Sequence, residues 1–210
     1  MKRSILAFGL FFATALPASA ATVVVTPAPY AAPSYSGTPT IFTFDSGGAD
    51  YTTRFSGGGV VSGSTGGQYS APTADATNYY SVGPSTSTPA TVNLAGLGSI
   101  QQISLYWGSV DKYNTLELLA GSTVLATITG SDVVGSPDGT TSYNVVINLT
   151  PSETGSITGL QFSSSENAFE FDNLAVGSVP EPASWALMIG GLGLVGMAMR
   201  RRSRVSVAVA

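Results

Sequence analysis

An all-β fold, an antiparallel β-sandwich of jelly-roll type, is predicted for the central part of this 210-residue chain by three observations. Apolar residues alternate with polar ones at period two in short runs from about residue 40 to 178. Gly, Ser, Thr, Asn and Pro punctuate those runs every 8–12 residues or so, and no helical stripe precedes Trp185. About nine to eleven short strands in one domain are best buried as two packed sheets.

The elements follow in order. Residues 21–39 carry Pro27, Pro29, Pro33 and Pro39 among Ala, Ser and Tyr, and read as an extended linker without a core of its own. The body begins near residue 40. Residues 57–59 and 62–67 are too rich in glycine and serine for strand interior and are expected as loops. Ile103, Leu105 and Trp107 alternate with Ser104 and Tyr106, which assigns Trp107 to the core and leaves Tyr106 exposed. Ile100 and Ile103 differ in parity, so a bulge is expected near Gln101-Gln102. A hairpin follows: residues 116–119, a turn at Ala120-Gly121-Ser122, then Val124, Ala126 and Ile128 on one face. Tyr143, Val145, Ile147 and Leu149 form the cleanest alternation. Leu160 with Phe162, then Phe169 with Phe171, supply the last two strands.

Composition excludes several kinds of chemistry. The chain has no His and no Cys, hence no imidazole-based triad, no thiolate zinc site, no iron–sulfur cluster and no disulfides. Charged residues make up only 10% of it, against roughly 25% in an ordinary soluble domain. Six of its eight basic residues lie at the extreme ends. Between residues 21 and 179 only Arg54 and Lys112 are basic against eleven acidic side chains, a net charge of −9. Such a body repels phosphate backbones, so nucleic acid is excluded as a partner.

The ends explain the positive mean hydropathy of +0.27. Lys2 and Arg3 precede an apolar stretch from Ile5 to Leu16, and Ala18-Ser19-Ala20 offers the small side chains that signal peptidase accepts. Residues 1–20 are therefore expected to be a signal peptide cut after Ala20, with Ala18 and Ala20 as the cleavage determinants. At the other end, residues 185–199 form an uncharged run of 15, followed by Arg200, Arg201, Arg202 and Arg204. As a helix that run spans about 22 Å, short of the roughly 30 Å hydrocarbon core unless the arginines snorkel. It is expected as one short C-terminal transmembrane helix in the inner membrane, with the arginines inside, the body outside and Trp185 at the outer interface.

A specific tetrad, Val179-Pro180-Glu181-Pro182, stands before this helix. Two prolines around a glutamate hold the junction extended and accessible. The sequence Val179-Pro180-Glu181-Pro182-Ala183-Ser184-Trp185-Ala186, the Gly-rich apolar run and the arginine cluster together resemble a PEP-CTERM sorting signal of the PEPxxWA variety, over residues 179–204. Residues 205–210 trail behind as a tail. The resemblance implies processing by an exosortase of a Gram-negative bacterium, with release or relinking at the cell surface, often alongside exopolysaccharide production. It makes Pro180, Glu181, Pro182, Trp185, Ala186, Arg200, Arg201 and Arg202 recognition residues, not catalytic ones. A permanent single-pass anchor is the alternative for the same residues. The body, residues 40–178, also resembles a family of exosortase-dependent surface proteins. This similarity rests on Asn78-Tyr79-Tyr80-Ser81-Val82-Gly83, on the stretch from Leu105 to Leu116, and on Phe169-Glu170-Phe171-Asp172-Asn173-Leu174.

Chemistry in the body would have to use carboxylates, hydroxyls or one lysine. Ser109-Val110-Asp111-Lys112 fits an S-x-x-K pattern, but it follows a strand, whereas that chemistry needs one helical turn, and its usual partner motifs are missing. A glycosidase pair would have to come from Asp111, Glu117, Glu166, Glu170 and Asp172. Neither argues for an enzyme. Calcium has hard ligands available in Asp45 and Asp50, with Asp172 joining if the first and last strands pair; otherwise Asp45 and Asp50 cap their own turns. Tyr79, Tyr80, Tyr106 and Tyr113 offer aromatic faces for glycan rings. The expectation is an exported, exosortase-processed surface or matrix protein without a catalytic site, structural or adhesive within exopolysaccharide, with a carbohydrate-binding module as the alternative.

Overall fold

The computed structural model describes residues 21–27, 29–35, 38–46, 48–179 and 182–202. The signal-peptide determinants Ala18 and Ala20, the recognition residues Pro180 and Glu181, and the tail lie outside these.

Among the described residues, twelve strands form two antiparallel sheets. They are β1 (Thr22–Pro27), β2 (Thr40–Phe42), β3 (Phe55–Ser56), β4 (Gly59–Ser62), β5 (Asn78–Val82), β6 (Ala90–Asn93), β7 (Ser99–Trp107), β8 (Asn114–Ala120), β9 (Thr123–Thr129), β10 (Tyr143–Asn148), β11 (Gly159–Ser164) and β12 (Phe169–Val179). The larger sheet runs β1-β10-β7-β12-β5-β4, with β2 also paired to β12; the smaller runs β3-β6-β11-β8-β9. From β5 onward the order β10-β7-β12-β5 facing β6-β11-β8-β9 is that of a jelly roll, as the alternation predicts. Single-turn helices α1 (Gly130–Val133) and α2 (Pro151–Thr154) sit in connections, each opened by a Thr/acid capping box.

The aliphatic core between the sheets is built around a layer of stacked aromatic rings. Trp107 stacks on Phe169 with ring centroids 4.3 Å apart, and Phe162 stacks on Phe171 at 4.2 Å. Phe44, Phe55 and Tyr80 extend this layer through tilted and edge contacts. Residues that share parity on β7, β10 and β12 meet here because period-two side chains of paired strands fall on one face.

Local expectations are met at several points. Gly177 pairs with Gln102 and Ser178 with Ile100, leaving Gln101 as the extra residue of the expected bulge; both Ile100 and Ile103 are thereby buried. The β8–β9 hairpin turns at Gly121, whose φ of 60° suits a residue without a Cβ.

Other expectations need correction. Residues 22–27, read as linker, form β1 and pair along all of β10, because Val23 and Val25 complete the sheet edge. Gly59, read as loop, opens β4, while Gly57 and Gly58 make the turn. Val124 faces solvent, not the core, because a register shift between Leu118 and Leu119 passes over Leu125 and turns the start of β9 outward.

The largest correction concerns the outer face of the seven-stranded sheet. Tyr106, expected to be exposed, is 1% accessible, and Tyr79, Glu170 and Asp172 on the same face are equally buried. Residues 63–77 and 29–35 cover it. The Tyr106 hydroxyl donates to Thr73 O (2.5 Å), that of Tyr79 to Gly63 O, and the Thr73 N–H donates to Ser142 Oγ (2.8 Å). Asn144 on β10 accepts from the Ala31 N–H and donates to Pro29 O, pinning the second covering segment.

Candidate functional site

Two regions are candidates for a functional site: the C-terminal segment and a cleft on the outer face of β12. β12 runs from the core to Val179, immediately before Pro180. Helix α3 (Pro182–Arg202, 21 residues) follows, as the apolar run predicts. Apolar side chains along it, from Met188 to Met197, are 53–72% exposed. No helix among the described residues is long and apolar enough to cross a membrane, where one short transmembrane helix is expected from the sequence. Gly190, Gly191, Gly193 and Gly196 dilute its hydropathy, and its uncharged run of 15 residues falls short of the roughly 30 Å core.

The cleft, about 340 Å³, opens where the 64–70 loop meets the loops that follow β7, precede β10 and precede β12. Glu170 forms part of its wall. Its Oε1 accepts the Ser70 N–H (2.8 Å), while Oε2 is buried without a hydrogen-bond partner. Burial pushes this carboxyl up to about 7, outweighing the hydrogen bonds that favour its charged form. Asp111 faces the same space and accepts the Tyr113 hydroxyl at Oδ2 (2.8 Å). Its acidity is weakened by burial first, with the carboxylates of Asp138 and Glu166 adding to the effect. Gly139, at φ 72°, packs so closely that a Cβ there would stand 2.4 Å from Asp111 Oδ2; only glycine fits.

Asn167 ties the rim together. Its Nδ2 donates to Gly67 O (3.0 Å) and to Ser85 Oγ (2.8 Å), and its Oδ1 accepts the Ser85 N–H (2.9 Å). Tyr69 and Tyr113, both half-buried, are the aromatic side chains of the wall.

The other site candidates are scattered. Of the four tyrosines considered for glycan contact, Tyr79 and Tyr106 are sealed under the covering loops and Tyr80 is in the core, its hydroxyl donating to Gly57 O. Only Tyr113 reaches the cleft. Ser109 and Lys112 lie in the β7–β8 connection and not on a helix, as expected.

The calcium expectation also changes. β2 does pair with β12, and the Asp45 charge is felt at Asp172. Asp50, however, is exposed and accepts from the Thr52 N–H (2.9 Å) and hydroxyl (2.7 Å), the self-capping turn envisaged as its other role. Asp75, not singled out from the sequence, comes up against Asp172 in its place. Burial pushes Asp172 up to about 8, with the charges of Asp75 and Asp45 adding to the effect. Among the described residues no group of three or more Asp, Glu, His or Cys is arranged to hold a metal ion.

Tyr69, Asn167, Ser70 and Asp138 were also not identified from sequence. The Asp138-Gly139 pair is a turn signal that marks one wall of the cleft; nothing local distinguishes Tyr69.

Together these features define a jelly-roll body followed, after β12, by the C-terminal helix α3. The chain matches the family model of the PEP-CTERM protein-sorting motif over residues 178–202. It therefore carries a sorting signal that implies exosortase-dependent export to the cell surface. No curated protein and no solved structure shows significant similarity to the chain.

Proposed function

We propose that this is a surface or matrix protein whose β-sandwich body works without catalysis, in a structural or adhesive role within or attached to extracellular polysaccharide. The observation that carries this reading is the sorting motif at residues 178–202, placed directly after the last core strand. Signal peptidase would act after Ala20 and the inner membrane would hold the chain transiently. Exosortase would then read Pro180, Glu181 and Pro182, with Trp185, Ala186 and the arginines 200–202 as the rest of its address. An all-β body with no Cys suits the outside of a Gram-negative cell, since its apolar core is held together without disulfides.

Intact mass of the protein recovered from its cells tests the reading. A species starting at Ala21 and ending near Pro182 supports it; a species retaining Arg204 overturns it in favour of a permanent anchor. Glu181→Ala is expected to leave the body folded and to make unprocessed precursor accumulate. Unchanged maturation would remove Glu181 from the recognition element.

A further inference from the structure

We propose that the cleft above β12 is a saccharide site for a neutral or amino sugar, held by Glu170 and Asp111 against the rings of Tyr69 and Tyr113. The inference rests on the surface-protein reading only for the polysaccharide surroundings of the protein; the cleft itself comes from the geometry of the body.

The first observation is an unfilled acceptor. Glu170 is 1% exposed, lies in the cleft wall and has one oxygen satisfied by Ser70, while the other has no partner in hydrogen-bonding geometry, although the Ser109 hydroxyl and N–H stand near enough to favour its charged form. Buried polar atoms are nearly always paired, and leaving one unpaired is costly. A hydroxyl supplied from the cleft would complete it.

The second observation is the sign of the charge. Asp111, Asp138, Glu166 and Glu170 crowd this end of the molecule, and Lys112 is the basic residue whose charge reaches Asp111. Phosphate, sulfate and uronate are repelled by such a rim. A divalent cation is disfavoured by the donor arrangement, since among the described residues no three metal-binding side chains converge. What remains is a ligand rich in hydroxyl or ammonium donors.

The third is shape. At about 340 Å³ the cleft lies at the lower end of the roughly 300–1,000 Å³ typical of small-molecule sites, the size of one or two sugar rings. Tyr69 and Tyr113 present partly open rings for the C–H face of a pyranose. Asn167 bridges the 64–70 loop to the β5–β6 connection, and Tyr113 fixes Asp111, so the walls are set before any ligand arrives. Because its carboxyl titrates near neutrality, Glu170 can also donate when protonated.

Calorimetry and saturation-transfer NMR on the purified mature protein test the proposal, using cellobiose, maltose and chitosan disaccharide. A glucuronate disaccharide and CaCl₂ alone serve as controls. At least one neutral or amino disaccharide is expected to bind saturably. Glu170→Gln is expected to weaken that binding tenfold or more, and Asp138→Asn, an exposed rim change that removes the charge but keeps an acceptor for Thr140, about threefold. No binding of any neutral or amino sugar overturns the proposal, as does preference for glucuronate or binding that survives both substitutions. Stabilisation by CaCl₂ without any saccharide binding also overturns it and assigns the cleft to a cation. None of these outcomes depends on how the C-terminus is cut, so the sorting reading stands or falls separately.

Discussion

Successive residues of β12 divide its two faces sharply. Phe169 and Phe171 turn into an oily layer, stacked on Trp107 and Phe162. Glu170 and Asp172 turn the other way and are just as thoroughly buried, at 1% and 2% exposure. The inner face is closed by a second sheet, the outer one by loops. Period two therefore reports which side a residue takes, while exposure depends on what covers that side.

The two faces should fail differently. Removing an inner ring leaves a void between sheets that cannot collapse: Phe171→Ala is expected to cost about 3–5 kcal/mol in denaturant unfolding. A loss near 1 kcal/mol would mean that the stacked layer is loosely packed.

The outer face should respond to pH. Glu170 and Asp172 hold their protons in the folded body up to about 7 and about 8, well above their values in an unfolded chain. For an acid raised in this way, stability is fully present below the unfolded value near 4 and drains away as pH climbs through the folded value. Asp50, Asp132 and Asp138, whose acidity is strengthened by hydrogen bonds from Thr52, Thr129 and Thr140, act in the opposite sense and only in acid. The thermal midpoint is thus expected to drop by on the order of 5–10 °C between pH 5.5 and 8.5, corresponding to a few kcal/mol. Asp172→Asn should recover most of that drop at pH 8.5 and change little at pH 5.5. A flat profile would show that water reaches these carboxyls, erasing the contrast between the faces.

A smaller effect isolates the cover. Tyr106→Phe keeps the ring and removes the hydroxyl with its bond to Thr73 O and its contact with Ser142, so a loss of about 1 kcal/mol is expected, with faster hydrogen exchange confined to the 63–77 loop. Exchange that spreads into β7 would mean that the loop belongs to the core.

Much of this molecule could be read before folding. The alternations at 103–107 and 143–149, the paired phenylalanines and the parity break at Gln101 each express a rule of neighbouring residues, so the sandwich and its bulge were legible. The C-terminal signal was more legible still, because its three parts are contiguous. The cleft was not. Its wall takes Tyr69, Asp111, Asp138 and Glu170 from four separate stretches, and only the closing of the jelly roll brings them together. Glu170 stood among the candidate carboxylates, but nothing in its neighbours marked it as buried. Tyr106 misled because its parity placed it on the outward face, and residues 22–27 because proline content hid a valine-rich strand.

The position of β12 sets how the body bears force. It lies between β7 on one side and β5 and β2 on the other, and its far end runs straight toward the segment by which exosortase would secure the protein. A pull on such a tether travels lengthwise along the strand and loads all of its flanking hydrogen bonds at once, in shear. An edge strand would peel open one bond at a time. Were the protein held by that end, the load would fall on the strand that traction is least able to strip from the body.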